Sequence, residues 1–277
     1  MGSHLWILVS LQRSGTSWFA QEMTRSSCVK ATLTSMAATP QNASRAAVEG
    51  LANVTEGLAA SFDSRHPVSE SLQTWAYNAH RHHEPVGAPF AIGFKWMAKA
   101  QGLPEALDDW LVPVAADRGV KFIFLERRNI LRRAVSKHFQ NLRTVQHVPN
   151  LPNAHTRDPK ERDRLASIRA EMPTGDMLLR HLDNLSKDLE KLRALRDAVN
   201  ASGLPLRVFA YESLDQTRLD AARDWILGDL ADESRCTLTN GSSVLKVHGG
   251  KVRDSISNFA AVQATLNGTQ YERYLED

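Results

Sequence analysis

The sequence has few cysteines, a mild charge excess and no long apolar run. Its two cysteines, Cys28 and Cys236, can pair in an oxidising compartment or stay free and buried in a cytosol. A formal net charge of +3 without a dense lysine or arginine run argues against a nucleic-acid partner. No apolar run approaches the roughly 20 residues of a membrane helix, so we expect no membrane span. A small anionic ligand is enough to account for the charge.

The cellular compartment is left open by two further features. Residues 1–4, Met-Gly-Ser-His, resemble a cloning remnant rather than a signal peptide, and 5–277 is expected to form the folded domain. Asn-x-Ser/Thr sequons exceed the roughly two that chance would give. They occur at Asn42, Asn53, Asn184, Asn200, Asn240 and Asn267. They are compatible with glycosylation in the secretory lumen, including the Golgi, and equally with turn and capping roles in a cytoplasmic protein.

Strand and helix patterns alternate along the chain and predict a single α/β domain. Strands are predicted from Leu5 and at 90–97, 120–126 and 206–210. Helices are predicted after the first strand and at 46–60, 71–83, 104–111, 130–142, 178–199 and 259–266. One more helix is predicted between the strand at 206–210 and residue 230. Residues 24–45 are expected to form a loop and 145–163 a polar excursion. The result is a central parallel sheet, covered by helices on both faces, that binds its ligand at the strands' carboxyl ends.

The stretch Arg13-Ser14-Gly15-Thr16-Ser17-Trp18 follows the first predicted strand and opens a helix. Free backbone N–H groups and the positive end of the helix dipole converge in such a turn, which therefore favours an anion. The three hydroxyls can cap the helix or bind the anion's oxygens, and Arg13 adds a positive fork. The spacing fits neither a Walker A loop nor a dinucleotide fingerprint, since Gly15 is the stretch's single glycine.

This stretch resembles the 5′-phosphosulfate loop of sulfotransferases that use 3′-phosphoadenosine 5′-phosphosulfate (PAPS). A second signature of that family has Arg-Asn at a strand's end and a serine eight residues after the arginine. It is matched here by Arg128-Asn129 and Ser136. The resemblance implies that Arg128 and Ser136 hold the 3′-phosphate, for which a guanidinium fork and a hydroxyl are suited.

Weaker matches extend the resemblance along the chain. Lys95 lies in a Gly-Phe-Lys-x-Met strand, and Tyr211 opens a Tyr-Glu-Ser-Leu element whose tyrosine is expected near the adenine. Lys251 and Arg253 lie in a closing segment that is expected to fold basic groups over the nucleotide. Trp18 stands where cytosolic members stack the adenine on an indole, and such stacking contributes roughly 1–3 kcal/mol.

The resemblance thus implies a P-loop-like domain that transfers a sulfuryl group from PAPS, without a metal, to a small-molecule or carbohydrate acceptor. Arg13 and Lys95 are the expected catalytic cations. Cytosolic members have a general-base histidine two positions after the lysine that Lys95 matches. Here that position is Met97, so the general base is unassigned. Its candidates by chemistry are Glu49, His66, Glu70, His80, His82 and His83. The open alternatives are an inactive module that binds the product nucleotide (PAP) or a carbohydrate, and a nucleotide-dependent phosphotransferase.

Overall fold

The computed structural model describes residues 4–11, 13–37, 91–97, 115–116, 119–145, 160, 163, 167–232, 236–238 and 251–276. The fold is mixed α/β. The described residues form five strands, which are β1 (His4–Ser10), β2 (Val29–Ala37), β3 (Ala91–Met97), β4 (Lys121–Glu126) and β5 (Leu206–Ala210). The longer helices are α1 (Thr16–Met23), α2 (Ile130–Val145), α3 (Gly175–Ala201), α4 (Gln216–Leu227) and α5 (Phe259–Leu266). All four strand pairings, in the order β2-β3-β1-β4-β5, are parallel, as expected.

The sheet is buried on both faces where its two central strands lie. In β1, Ile7 and Val9 pack on one side with the helices α2, α3 and α5, while Trp6 and Leu8 pack on the other with α1 and α4. Strand β4 alternates in the same way. Successive side chains of a strand point to opposite faces, so a continuous apolar run gives two cores. Helices on both faces are therefore confirmed for the described residues.

Helix α3 is the longest helix described, with 27 residues, and its leucine stripe is core packing as predicted. The stripe includes Leu178, Leu182, Leu185, Leu189 and Leu192, all buried. Each such side chain contributes roughly 1.5–3 kcal/mol through burial.

Strand β2 corrects the prediction of a loop over residues 24–45. Residues 29–37 pair in parallel with β3, with a register irregularity between Thr32 and Met36. Among the described strands the segment pairs with β3 alone, and its sequence Val-Lys-Ala-Thr-Leu-Thr over 29–34 alternates apolar and polar residues, a strand signal that argues against the predicted loop. The predicted helices at 46–60, 71–83 and 104–111 lie outside the described residues, as does most of the excursion at 145–163.

A disulfide joins Cys28 to Cys236 and settles the pairing that the sequence left open. It ties the start of β2 to the segment after α4, beside an antiparallel bridge between Ser26 and Leu238. The two cysteines are 208 residues apart. In the chain-entropy model a closed loop of that length stabilises the fold by about 5 kcal/mol.

Candidate functional site

The turn between β1 and α1 lies at the carboxyl edge of the sheet, the edge where β1, β3, β4 and β5 end. Two of its residues have left-handed backbone, Arg13 with φ 67° and Gly15 with φ 76°. For a non-glycine residue that conformation costs about 1–2 kcal/mol, so contacts around Arg13 must hold it. Gly15 is the N-cap of α1 and no described side chain caps this helix end. Its first-turn N–H groups are thus the kind that bind an anion.

Gly15 is fixed by a ring as well as by its backbone. A Cβ added there would lie 2.0 Å from Cε2 of Tyr211, far inside van der Waals contact. Tyr211 follows β5 directly, so two strand ends meet at this point. The ring of Trp18 meets that of Tyr211 edge to face, with centroids 6.0 Å apart. Both aromatic residues that the resemblance assigns to the adenine therefore lie beside the turn.

The hydroxyls of the turn have separate roles. The Thr16 hydroxyl is buried and hydrogen-bonded to Ser10 at 2.6 Å, so it fastens the helix to the strand end. Ser14 is buried as well, at 1% exposure. Ser17 is half-buried and its Oγ accepts a hydrogen bond of 3.0 Å from Lys95 Nζ. Of the two roles open to these hydroxyls, capping of α1 is excluded, because the capping residue is Gly15 and no described side chain bonds to this helix end.

Lys95 brings a buried cation to the turn. It lies in β3 opposite Leu8 of β1 and is only 6% exposed. Burial lowers the pKa of Lys95, because a charged ammonium loses hydration there. An anion bound at the turn would oppose that shift, so the position favours a negatively charged ligand.

The second motif meets the first through Arg13. Its Nε donates a hydrogen bond of 3.0 Å to Ser136 Oγ on α2. Arg127 Nη1 donates to the backbone carbonyl of Arg13, also at 3.0 Å, and the Arg127 guanidinium lies 5.0 Å from the centre of the Tyr211 ring. Two turns that are more than a hundred residues apart in sequence are thus one structural unit.

Arg128 lies at the same edge, and its side chain is exposed. Its backbone N–H, with that of Asn129, donates to the carboxylate of Glu212, which ties this turn to the segment after β5, while Asn129 Oδ1 caps α2 by accepting from the N–H of Arg132. Beside Ser136 lies a small surface cleft of about 10 Å³, roughly the space of one water molecule. The cleft is lined by Arg127, Arg132, Val135, Ser136, Val252 and Ser255. Arg127 and Arg132, rather than Arg128, are the arginines in its wall.

The closing segment reaches this cleft through Val252 and Ser255. Lys251 and Arg253, on either side of Val252, are exposed. The segment is anchored elsewhere, since the Tyr271 hydroxyl donates a hydrogen bond to Asp183; burial, together with that contact, raises the pKa of Tyr271 to about 12.

The sequence does not indicate three residues at this edge, Arg127, Arg132 and Glu212. A strand followed by two arginines does not say which one turns inward, the position of Arg132 in the cleft wall depends on how α2 packs, and a contact of Glu212 across more than 80 residues leaves no local signal. The candidate bases Glu49, His66, Glu70, His80, His82 and His83 lie outside the described residues. Within those residues, no group of three or more His, Cys, Asp or Glu side chains is placed to hold a metal ion.

Comparison with known proteins adds no family assignment. No protein-family model matches the chain, and no curated protein matches its sequence. In the part of the chain that the structure describes, every helix is too short or too polar to cross a membrane.

Proposed function

We propose that this chain is a PAPS-dependent sulfotransferase with a P-loop-like domain. One observation carries the proposal: residues from three separate sequence matches meet at one edge of the sheet. Arg13 bonds to Ser136, and Lys95 bonds to Ser17, each at 3.0 Å. Two cations and two hydroxyls thus surround a helix start whose N–H groups favour an anion, which is what a phosphosulfate requires.

In the proposed reaction, the bond between sulfur and the bridging oxygen of the donor breaks as a bond from sulfur to the acceptor's hydroxyl oxygen or amine nitrogen forms. The products are PAP, the sulfated acceptor and the proton that the acceptor loses. Catalysis of this kind of in-line transfer is mainly positioning and positive charge. Arg13 and Lys95 would supply the charge near the bridging oxygen, where negative charge grows as the bond breaks.

The surface around the mouth of the cleft beside Ser136 is the proposed place of the 3′-phosphate. Arg128 is the arginine that the resemblance assigns, and Arg132 lines the cleft with Ser136. Losing a charge-assisted hydrogen bond costs roughly 1.5–3 kcal/mol, so removal of the right arginine should weaken PAP about 10- to 150-fold. Adenosine 5′-phosphate, which lacks the 3′-phosphate, should lose much less affinity.

Calorimetric titration of Arg128→Ala and Arg132→Ala with both nucleotides identifies that arginine. A loss of affinity for PAP alone in Arg128→Ala supports the assignment from sequence. The same loss in Arg132→Ala alone assigns the role to Arg132. An equal loss of affinity for both nucleotides in both variants would show that the 3′-phosphate does not bind beside this cleft.

Turnover separates the proposal from its two alternatives. The test is release of PAP from PAPS, first without an acceptor and then with carbohydrate, lipid and small-molecule hydroxyls. Turnover supports the sulfotransferase. PAP binding without turnover under any of these conditions supports the inactive binding module, and phosphoryl transfer from ATP in place of PAPS turnover supports a phosphotransferase.

A further inference from the structure

We infer that Arg127 is a positioning residue that holds the anion-binding turn in its working shape. Its Nη1 donates to the carbonyl of Arg13, the non-glycine residue with φ 67°. A carbonyl held from outside fixes the orientation of that peptide and so of the N–H groups that follow. This inference depends on the proposed function only in the experiment below that measures nucleotide binding.

The same guanidinium holds the turn from its other end. It lies 5.0 Å from the centre of the Tyr211 ring, and that ring occupies the space where a Cβ on Gly15 would stand. Arg127 is 7% exposed, so this cation–π contact is largely desolvated and correspondingly strong. One side chain therefore touches the turn directly at Arg13 and through a ring at Gly15.

These contacts require arginine rather than any cation. A planar guanidinium can donate in its plane and stack on a ring with its face at once, whereas an ammonium is a point charge. Nε of Arg127 is buried and has no hydrogen-bond partner among the described residues, so the side chain is held by Nη1 and by its face. Burial lowers the pKa of Arg127, because the charged guanidinium loses hydration there.

Hydrogen exchange of the turn tests this without any ligand. In Arg127→Lys, the amide of Phe19, which donates to the Gly15 carbonyl of the turn at 3.0 Å, should exchange at least about tenfold faster than in the wild type, the equivalent of one lost charge-assisted hydrogen bond. Tyr211→Leu removes the ring from the other side and should give the same change. Arg207→Gln is the matched control, because that guanidinium stacks on Trp225 at 5.5 Å at the opposite edge of the sheet. Unchanged exchange of the turn in both site variants would overturn the inference.

Nucleotide fragments add the functional readout. Arg127→Lys should weaken adenosine 5′-phosphate, which uses the turn, by about tenfold and adenosine 3′-phosphate by much less. The reverse order would make Arg127 a direct ligand of the 3′-phosphate and refute the positioning role. Wild-type protein that binds neither fragment nor PAP would refute the proposed function instead, and the exchange experiment would still decide the role of Arg127.

A second, independent observation concerns glycosylation: we infer that Asn184, Asn200 and Asn267 carry N-linked glycans. These are the sequon asparagines within the described residues, and all three are exposed. The disulfide between Cys28 and Cys236 belongs to an oxidising compartment, which is also where such glycans are added. Excess sequons, their exposure and the disulfide thus agree on passage through the secretory lumen.

The modification needs a co-reactant of a known chemical class, an oligosaccharide on a lipid pyrophosphate, and the host's transferase. A bond forms between the first sugar carbon and the asparagine Nδ2, which loses a proton, and the lipid pyrophosphate leaves. Asn267 directly follows the last residue of α5, where its amide is accessible beside Gly268.

Secretion of the whole chain from eukaryotic cells, followed by peptide N-glycosidase and intact-mass measurement, tests this inference. Asn184→Gln, Asn200→Gln and Asn267→Gln should each remove one glycan mass. Thr269→Ala should behave like Asn267→Gln, while Thr269→Ser, which keeps the sequon, should retain the glycan. A secreted, disulfide-bonded chain whose mass does not change after the enzyme would overturn the inference.

Discussion

Replacing Arg13 by glycine separates the proposed chemistry of this residue from its backbone conformation. Glycine avoids the cost of the left-handed φ of 67°, which is about 1–2 kcal/mol for other residues. Against that, the variant loses the 3.0 Å hydrogen bond to Ser136, worth about 0.5–1.5 kcal/mol, and glycine adds about 0.5–1 kcal/mol of unfolded-state entropy. These contributions oppose each other, so the free energy of unfolding should stay within about 1 kcal/mol of the wild-type value.

The rate of sulfuryl transfer is expected to respond quite differently. If the Arg13 guanidinium stabilises charge on the bridging oxygen, its removal should lower turnover about a hundredfold or more, or at least about 2.7 kcal/mol of transition-state stabilisation. PAP affinity should fall less, because the charge on that oxygen grows as the bond breaks. Arg13→Lys should recover part of the rate, since a point charge survives without the fork.

The assay combines urea denaturation with release of PAP from PAPS, which needs no identified acceptor. Arg13→Gly should match the wild type in urea and fail in turnover. An unchanged rate in a folded Arg13→Gly protein would show that this turn is structural and would remove the centre of the enzyme assignment. A parallel loss of stability and rate would refute the separation argued above.

Three other perturbations test the turn, the buried cation beside it and the disulfide. Gly15→Ala should lower the free energy of unfolding by about 2–5 kcal/mol, since it adds overpacking against Tyr211 to backbone strain. Gly203→Ala, where φ is 70° and no atom lies near the added Cβ, should lower it by only about 1–2 kcal/mol. Equal losses in urea denaturation would contradict the contact between Gly15 and the Tyr211 ring. Because burial lowers the pKa of Lys95, the unfolded chain binds more protons than the folded chain between that lowered pKa and the ordinary value of 10.5. The free energy of unfolding of the wild type should therefore rise with pH in that window, with a slope of up to about 1.4 kcal/mol per pH unit. Denaturation of Lys95→Met at the same pH values should show no such rise. Reduction of the disulfide should lower the free energy of unfolding by up to about 5 kcal/mol, and a reduced protein as stable as the oxidised one would contradict the predicted loop-closure contribution.

Much of the fold could be predicted because the central strands are continuous apolar runs and the long helix has an apolar stripe. Residues 259–266 form a helix with the bounds predicted from sequence. Strand β2 is predictable in part, because residues 29–34 alternate apolar and polar side chains, although the serines, threonines and alanines around them dilute that pattern. Its pairing with β3 is a long-range property that the segment itself does not encode.

The site was predictable in its location and less so in its contacts. A glycine turn after a buried strand indicates a helix start at the sheet's carboxyl edge, and that edge is where Arg13, Lys95 and Ser136 meet. The ring against Gly15 and the inward turn of Arg127 depend on segments more than a hundred residues away. Local sequence specifies the conformation of such a turn, whereas the neighbours that hold it are set by the fold.

The most direct measurement of the central claim is the thermal stability of the wild-type chain with PAP and, separately, with ATP. A ligand that binds only the folded state, at a hundredfold over its dissociation constant, adds about 2.7 kcal/mol of stability. The account predicts that PAP raises the melting temperature by the amount that corresponds to this added stability, and that ATP at the same concentration raises it much less. A rise with ATP and none with PAP would contradict it.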